Sequence, residues 1–111
     1  MKEVIAHLRH LRIAPRKVRK VAQTMKGKPA KHAETQLRFM RKAAALPLLK
    51  LLRSAIANAR HNFQLDADSL IVRSVRVDGG PMLKRSMPRS RGMANPIRKR
   101  TSHITLTLTE K

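Results

Sequence analysis

The sequence predicts an α+β fold: a three-stranded antiparallel sheet with three helices on one face and a long protruding β-hairpin. Three observations carry the prediction. Near the C-terminus Ile104, Leu106 and Leu108 alternate with Thr105, Thr107 and Thr109, the pattern of a strand with one buried and one wet face. Mid-chain, Ala45, Leu48, Leu49, Leu52, Ala55, Ile56 and Ala59 recur at helical spacing. Between the β-like runs 70–77 and 104–108 lies an excursion far longer than the usual hairpin loop of about 2–5 residues.

The first strand covers residues 3–11. Val4, Ala6 and Leu8 alternate there with Ile5, His7 and Arg9, which predicts one buried face. A helix over 15–26 follows. Pro15 suits its first position, where a missing N–H costs nothing. Val18, Val21, Ala22 and Met25 make its apolar stripe, with Arg16, Arg19 and Lys20 on a different face. Gly27 can take the left-handed conformation just past its end. Ala14 is a poor N-cap, weaker than Ser or Asp by about 1 kcal/mol.

The second helix, over 29–40, carries its apolar positions at Ala30, Ala33, Leu37 and Met40. This pair, joined at Lys26-Gly27-Lys28, has the outline of a helix-turn-helix, so a free basic DNA-binding protein is the alternative reading. The expectation that neither helix offers Asn or Gln on its outward face counts against it, because those side chains read adenine. The third and longest helix covers 42–62 and supplies the spine of the core. Its leucines span too little chain for a coiled-coil seam. Pro47 requires a start nearer Ala44 or a bend. Asp66 and Asp68 lack the further carboxylate and the glycine of a calcium loop, and read as turn residues.

Strands over 69–79 and 101–110 complete a single domain, 1–111, with 80–101 as an extended hairpin arm. About 11 residues per arm, at roughly 3.3 Å each, reach about 35 Å. A two-stranded ribbon has no core of its own and is marginal in water, so this one is expected to be ordered by what surrounds it.

Charge says what that is. The chain has 26 Lys and Arg against 6 acids, a net charge of +20 and a pI near 12.0. Residues 79–109 contain no carboxylate: Asp78 precedes them and Glu110 follows. Such an imbalance repels itself unless a polyanion is bound. No apolar run approaches the roughly 18 residues that span a bilayer, and Glu3 sits where a signal peptide wants only positive charge, so no membrane and a cytoplasmic location are expected. With no Cys there is neither a disulfide nor a thiolate metal site. Phe39 and Phe63 are the only aromatics among Phe, Tyr and Trp, too few for the usual stacking platforms. Recognition should rest on phosphates, sugars and shape.

The basic residues fall into three groups. Arg12, Arg16, Lys17 and Lys20 lie at the first helix. Lys84, Arg85, Arg89 and Arg91 lie in the arm. Arg98, Lys99 and Arg100, with Thr101, Ser102 and His103, lie where arm meets domain. Isolated charges such as Lys50 read as solvated surface. Lys and Arg neutralise phosphates and release counterions, and Arg can bridge two phosphate oxygens. Met82, Met87 and Met93 read as adaptable contacts. Catalysis is not expected. Ser102, His103 and Asp78 have neither convergence nor an oxyanion site, and His7 and His10 lack a third metal ligand. No metal or cofactor is expected.

Four segments resemble one family, that of bacterial large-subunit ribosomal protein L twenty-two. They are Arg12-Ile13-Ala14-Pro15-Arg16-Lys17-Val18-Arg19, Ser54-Ala55-Ile56-Ala57-Asn58-Ala59-Arg60-His61-Asn62, Val77-Asp78-Gly79-Gly80-Pro81-Met82-Leu83-Lys84-Arg85, and Ile97-Arg98-Lys99-Arg100-Thr101-Ser102-His103-Ile104. The chain departs from the family at Ala14, where Ser is usual, at Gly79, where an acid is common, and at Pro47. The resemblance implies a structural role in the large ribosomal subunit, as a monomer bound to large-subunit rRNA and neighbouring ribosomal proteins. It implies that the hairpin lines the nascent-peptide exit tunnel. Ser86, Met87, Pro88, Arg89, Ser90, Arg91, Gly92, Met93, Ala94 and Asn95 would then form a tip that meets the nascent peptide.

Overall fold

The computed structural model describes residues 3–80, 83–88 and 94–110 and, for 83–88 and 94–99, the backbone. In chain order come β1 (Glu3–Leu11), α1 (Pro15–Met25), α2 (Ala30–Phe39), α3 (Ala45–Phe63), a 3₁₀ turn (Ala67–Ser69), β2 (Leu70–Gly79), β3 (Leu83–Pro88), β4 (Ala94–Lys99) and β5 (Ser102–Glu110). The expected α+β fold is present. The sheet is antiparallel in the order β1-β5-β2, and β3 and β4 pair as a separate two-stranded ribbon. The molecule measures 62 Å along its longest axis against 25 and 18 Å.

The C-terminal strand is therefore the middle of the sheet. Ile104, Leu106 and Leu108 are buried beneath the helices, each side chain contributing about 1.5–3 kcal/mol on burial. Val4 and Ala6 of β1 are buried on one flank of β5, and Leu70, Val72 and Val77 of β2 on the other. The run 70–77 does not alternate simply, and the reason is a bulge. The register with β5 shifts between Val72 and Ser74. The extra residue, Arg73, flips the parity, so that Leu70 and Val72 before it share a face with Val75 and Val77 after it.

Thr109 departs from the wet side expected of it, being 3 % exposed. It lies between Glu3 and Ile71 in register. An ion pair between Glu3 and Arg73 joins the two edge strands across this end of β5.

α1 packs on β2, α3 on β1 and β5, and α2 on α3. α3 begins at Ala45, which puts Pro47 in the first turn, and no bend is needed. Ala55 and Ala59 are fully buried, as is most of the predicted stripe. Leu51 joins it, while Ile56 is only partly buried. The helix ends at Gln64 in the left-handed region, φ 54°. Asp66 then accepts a hydrogen bond from the Asp68 amide at 3.3 Å, the turn role expected of it.

The link between α1 and α2 does not behave as a helix-turn-helix. The two helices pack chiefly on β2 and α3 rather than on each other. Gly27, at φ 80°, closes a turn in which the Lys28 amide donates to Met25 O at 3.2 Å. The same turn is tied to the free edge of β2. The Gly27 amide donates to Val72 O at 2.7 Å, and the Val72 amide donates to Lys28 O at 2.9 Å. The expectation about outward amides needs correction, because Gln23 is exposed and Gln36 half-buried.

Candidate nucleic-acid interface

Arg12, Arg16, Lys17 and Lys20 lie clear of the buried stripe of α1, which is Val18, Val21, Ala22 and Met25. Arg19, also exposed, is tied to the fold. Its Nε and Nη2 both donate to Val77 O, at 3.2 and 2.9 Å, which ties α1 to the last stretch of β2 before the hairpin departs.

The cations of α1 do not stand apart from those of the hairpin base. One groove is lined by Pro15, Arg16, Arg19, Gly79, Gly80, Arg100 and Thr101. Arg16 thus faces the same depression as Arg100, which comes far later in the chain. Gly80 makes the approach possible: a Cβ there would lie 2.4 Å from Thr101 Oγ1 and 3.2 Å from the His103 ring. Its amide donates to Thr101 O at 2.9 Å. A second groove carries the basic surface round α1 to the α2–α3 turn, through Lys17, Lys20 and Lys42, over Ile13, Val21, Ala43 and Ala44. Lys42 does not stand out in the sequence. Only its place beside α1 in three dimensions marks it.

Three residues at the end of the arm serve the fold itself. Ser102 is fully buried, and its hydroxyl donates to Ile13 O at 2.6 Å. It holds β5 to the turn after β1 and presents no hydroxyl outward, so its expected role toward RNA is corrected to that of an anchor. Thr101 is also buried. His103 is half-buried, and its Nδ1 accepts from the His10 amide at 3.1 Å. The two rings meet edge to face at 4.8 Å. This contact accompanies the second bulge of the sheet, between Leu8 and Leu11, where His10 takes φ 59°. His7 points toward Thr105, with Nδ1 3.3 Å from Oγ1. Among the described residues no His, Cys, Asp and Glu gather in a group that could hold a metal ion.

In the ribbon, Lys84, Arg85, Ser86, Met87 and Pro88 belong to β3, and Ala94, Asn95, Arg98 and Lys99 to β4. Lys84 is the register partner of Arg98. Pro88 and Pro96 are tolerated because each strand of a two-stranded ribbon has a free edge. Arg89, Ser90, Arg91, Gly92 and Met93 of the expected tip lie outside the described residues.

Four of the few acids are already engaged. Glu3 pairs with Arg73, Glu34 with Arg53, Asp68 with Lys31 and Asp78 with Arg76. The hydrogen bond that Lys31 donates to the Asp68 carboxylate is the main reason the Lys31 pKa is raised above its ordinary value. None of α1, α2 and α3 has an acid in its first turn or a side-chain N-cap. Their positive ends are left uncompensated, an arrangement that suits phosphate.

Residues 6–109 match the family model described as Ribosomal protein L22p/L17e. The chain is 50 % identical over 111 residues to the large ribosomal subunit protein uL22 of Desulfitobacterium hafniense (strain Y51), covering 100 % of this chain and 97 % of the relative. It is 48 % identical over 109 residues to the protein of that name from Chloroflexus aggregans, with 98 % and 96 % covered. To that of Deinococcus radiodurans it is 50 % identical over 103 residues, with 93 % and 77 % covered.

Proposed function

Because the chain belongs to the ribosomal protein L22p/L17e family, we propose that it binds large-subunit rRNA through one continuous basic surface and lines the nascent-peptide exit tunnel with its hairpin. The family assignment makes it a structural protein of the large ribosomal subunit. The observation that carries the RNA reading is the shared groove of Arg16 and Arg100. It joins the α1 cations to the root of the arm, with Lys17, Lys20 and Lys42 on the adjoining side.

In this reading the domain holds the subunit surface as a monomer, in contact with rRNA and neighbouring ribosomal proteins in cytoplasmic ribosomes. Arg12, Arg16, Lys17, Lys20 and Arg100 contact phosphates. The ribbon cations Lys84, Arg85, Arg98 and Lys99 do the same along the arm, and the tip residues meet the nascent peptide. Counterion release drives much of the binding and makes it steeply salt-dependent. The test is co-sedimentation of the full chain with large subunits through moderate salt, beside a titration of duplex DNA. Retention with the subunit is expected. Binding to DNA as tight as to an rRNA fragment would overturn the reading.

A further inference from the structure

Phe39 is 75 % exposed at the C-terminal end of α2, although the chain has only two phenylalanines and neither Tyr nor Trp. One exposed apolar side chain is ordinary by itself; Phe39 is set apart by a cation over its ring and a groove at its side. The Arg38 guanidinium stands over it, with Cζ 5.8 Å from the ring centroid. Beside it runs a shallow groove lined by His32, Thr35, Gln36, Phe39 and Met40.

Resting on the RNA-binding reading above, we propose that this groove receives a single unstacked nucleobase of rRNA, with Phe39 as its stacking face. The groove's chemistry has both parts such a ligand needs. The ring and Met40 supply an apolar face. Gln36 and Thr35 supply hydrogen-bonding groups for a base edge. Lys28 Nζ donates to Gln36 Oε1 at 2.9 Å, which orients the amide and leaves its NH₂ group as a donor. Thr35 Oγ1 donates to Lys31 O at 3.1 Å, which leaves its lone pairs to accept.

Charge chooses between a base and an apolar knob from another protein. No acid lines the groove, and the nearby Glu34 is held by Arg53 at 3.1 Å. Arg38, Arg41 and Lys42 follow one another closely in the chain, and no carboxylate pairs with them among the described residues. Lys42, three residues along the chain from Phe39, also lines the groove with Lys17 and Lys20. A nucleotide satisfies ring and cations together, its base on Phe39 and its flanking phosphates on the cations. Composition argued against a platform of several aromatics. A one-base site needs only one.

The absence of Trp and Tyr makes the test clean. In the full-length chain, Phe39→Trp introduces a single indole, and Phe63→Trp gives a control at the end of α3. Large-subunit rRNA is titrated, with binding followed separately by filter retention. The expected result is strong quenching of the indole at 39 and little at 63. Phe39→Ala and Phe39→Leu should both bind about ten-fold more weakly, because leucine is apolar but cannot stack. Retained rRNA with an unquenched indole at 39 would overturn the base site and leave the RNA reading standing. So would full affinity in Phe39→Leu with loss only in Phe39→Ala. If none of the chains, wild type included, retains rRNA, the wider reading fails and the base site with it.

Discussion

The guanidinium of Arg19 holds the backbone carbonyl of Val77 by two hydrogen bonds, of 3.2 and 2.9 Å. A charged donor on a half-buried carbonyl is worth about 1.5–3 kcal/mol. It fixes α1 against β2 just before Gly79, the last residue of that strand. Arg19→Ala should therefore lower the unfolding free energy by about 1–2 kcal/mol, and Arg19→Lys, which loses the fork, by somewhat less. Urea titration reads both. A change within error for Arg19→Ala would mean that this pair of bonds contributes nothing net.

Gly79 and Gly80 are neighbours with opposite tolerances. A Cβ at Gly79 meets nothing within 4 Å, whereas one at Gly80 would lie 2.4 Å from Thr101 Oγ1. Thr101 is buried and β-branched, so it has little room to yield. Gly80→Ala should cost about 1–3 kcal/mol and Gly79→Ala much less. Equal melting temperatures for the two variants would rule out this crowding.

Ser102→Ala should leave the Ile13 carbonyl without its 2.6 Å hydrogen bond. The expected loss is about 1–2 kcal/mol for a half-buried acceptor left unpaired. Affinity for rRNA in the folded variant should be unchanged, because that hydroxyl is turned inward. A fall in affinity without a fall in stability would return Ser102 to the interface.

Much of this is readable in the residues, and what is not has physical causes. The alternation of β5 and the stripe of α3 are local periodicities, and both emerge in the fold. Pro47 leaves two helix starts open, and burial of Ala44 and Ala45 decides for the later one. The order β1-β5-β2 is hidden because β1 and β5 lie at opposite ends of the chain. The bulge at Arg73 is written in the sequence as a missed beat between Val72 and Val75, but only the register shows which residue is extra. At the interface, the cations of α1 and of the hairpin base are visible separately. Their meeting at Gly79 and Gly80, the tie of Arg19 to the Val77 carbonyl, the burial of Ser102 and the arrival of Lys42 depend on tertiary packing.

Replacing residues 84–98 by Asn-Gly would close the arm as a tight hairpin between Leu83 and Lys99, which already face each other in register. Every residue of the buried core cluster lies outside the excised segment. The shortened chain should keep its helical circular dichroism and melt within a few degrees of the parent. Affinity for rRNA should fall, since Lys84, Arg85, Arg89, Arg91 and Arg98 all leave with the segment. A collapse of stability would show that the ribbon braces the domain.

Arg16→Gln with Arg100→Gln removes two of the three cations that line the shared groove, leaving Arg19 on the Val77 carbonyl, and Lys50→Gln removes an exposed one from α3. If the groove holds phosphate, the double variant should bind rRNA more weakly and show a shallower dependence of log K on log salt. The slope should drop by about 0.7–0.9 for each phosphate that is no longer neutralised. Lys50→Gln should change neither quantity by a comparable amount. The slope is the more telling readout, because a folding defect lowers the active fraction without altering it. Equal slopes in the parent and both variants would mean that the positive charge acts diffusely and that the meeting of α1 with the hairpin root has no part in binding.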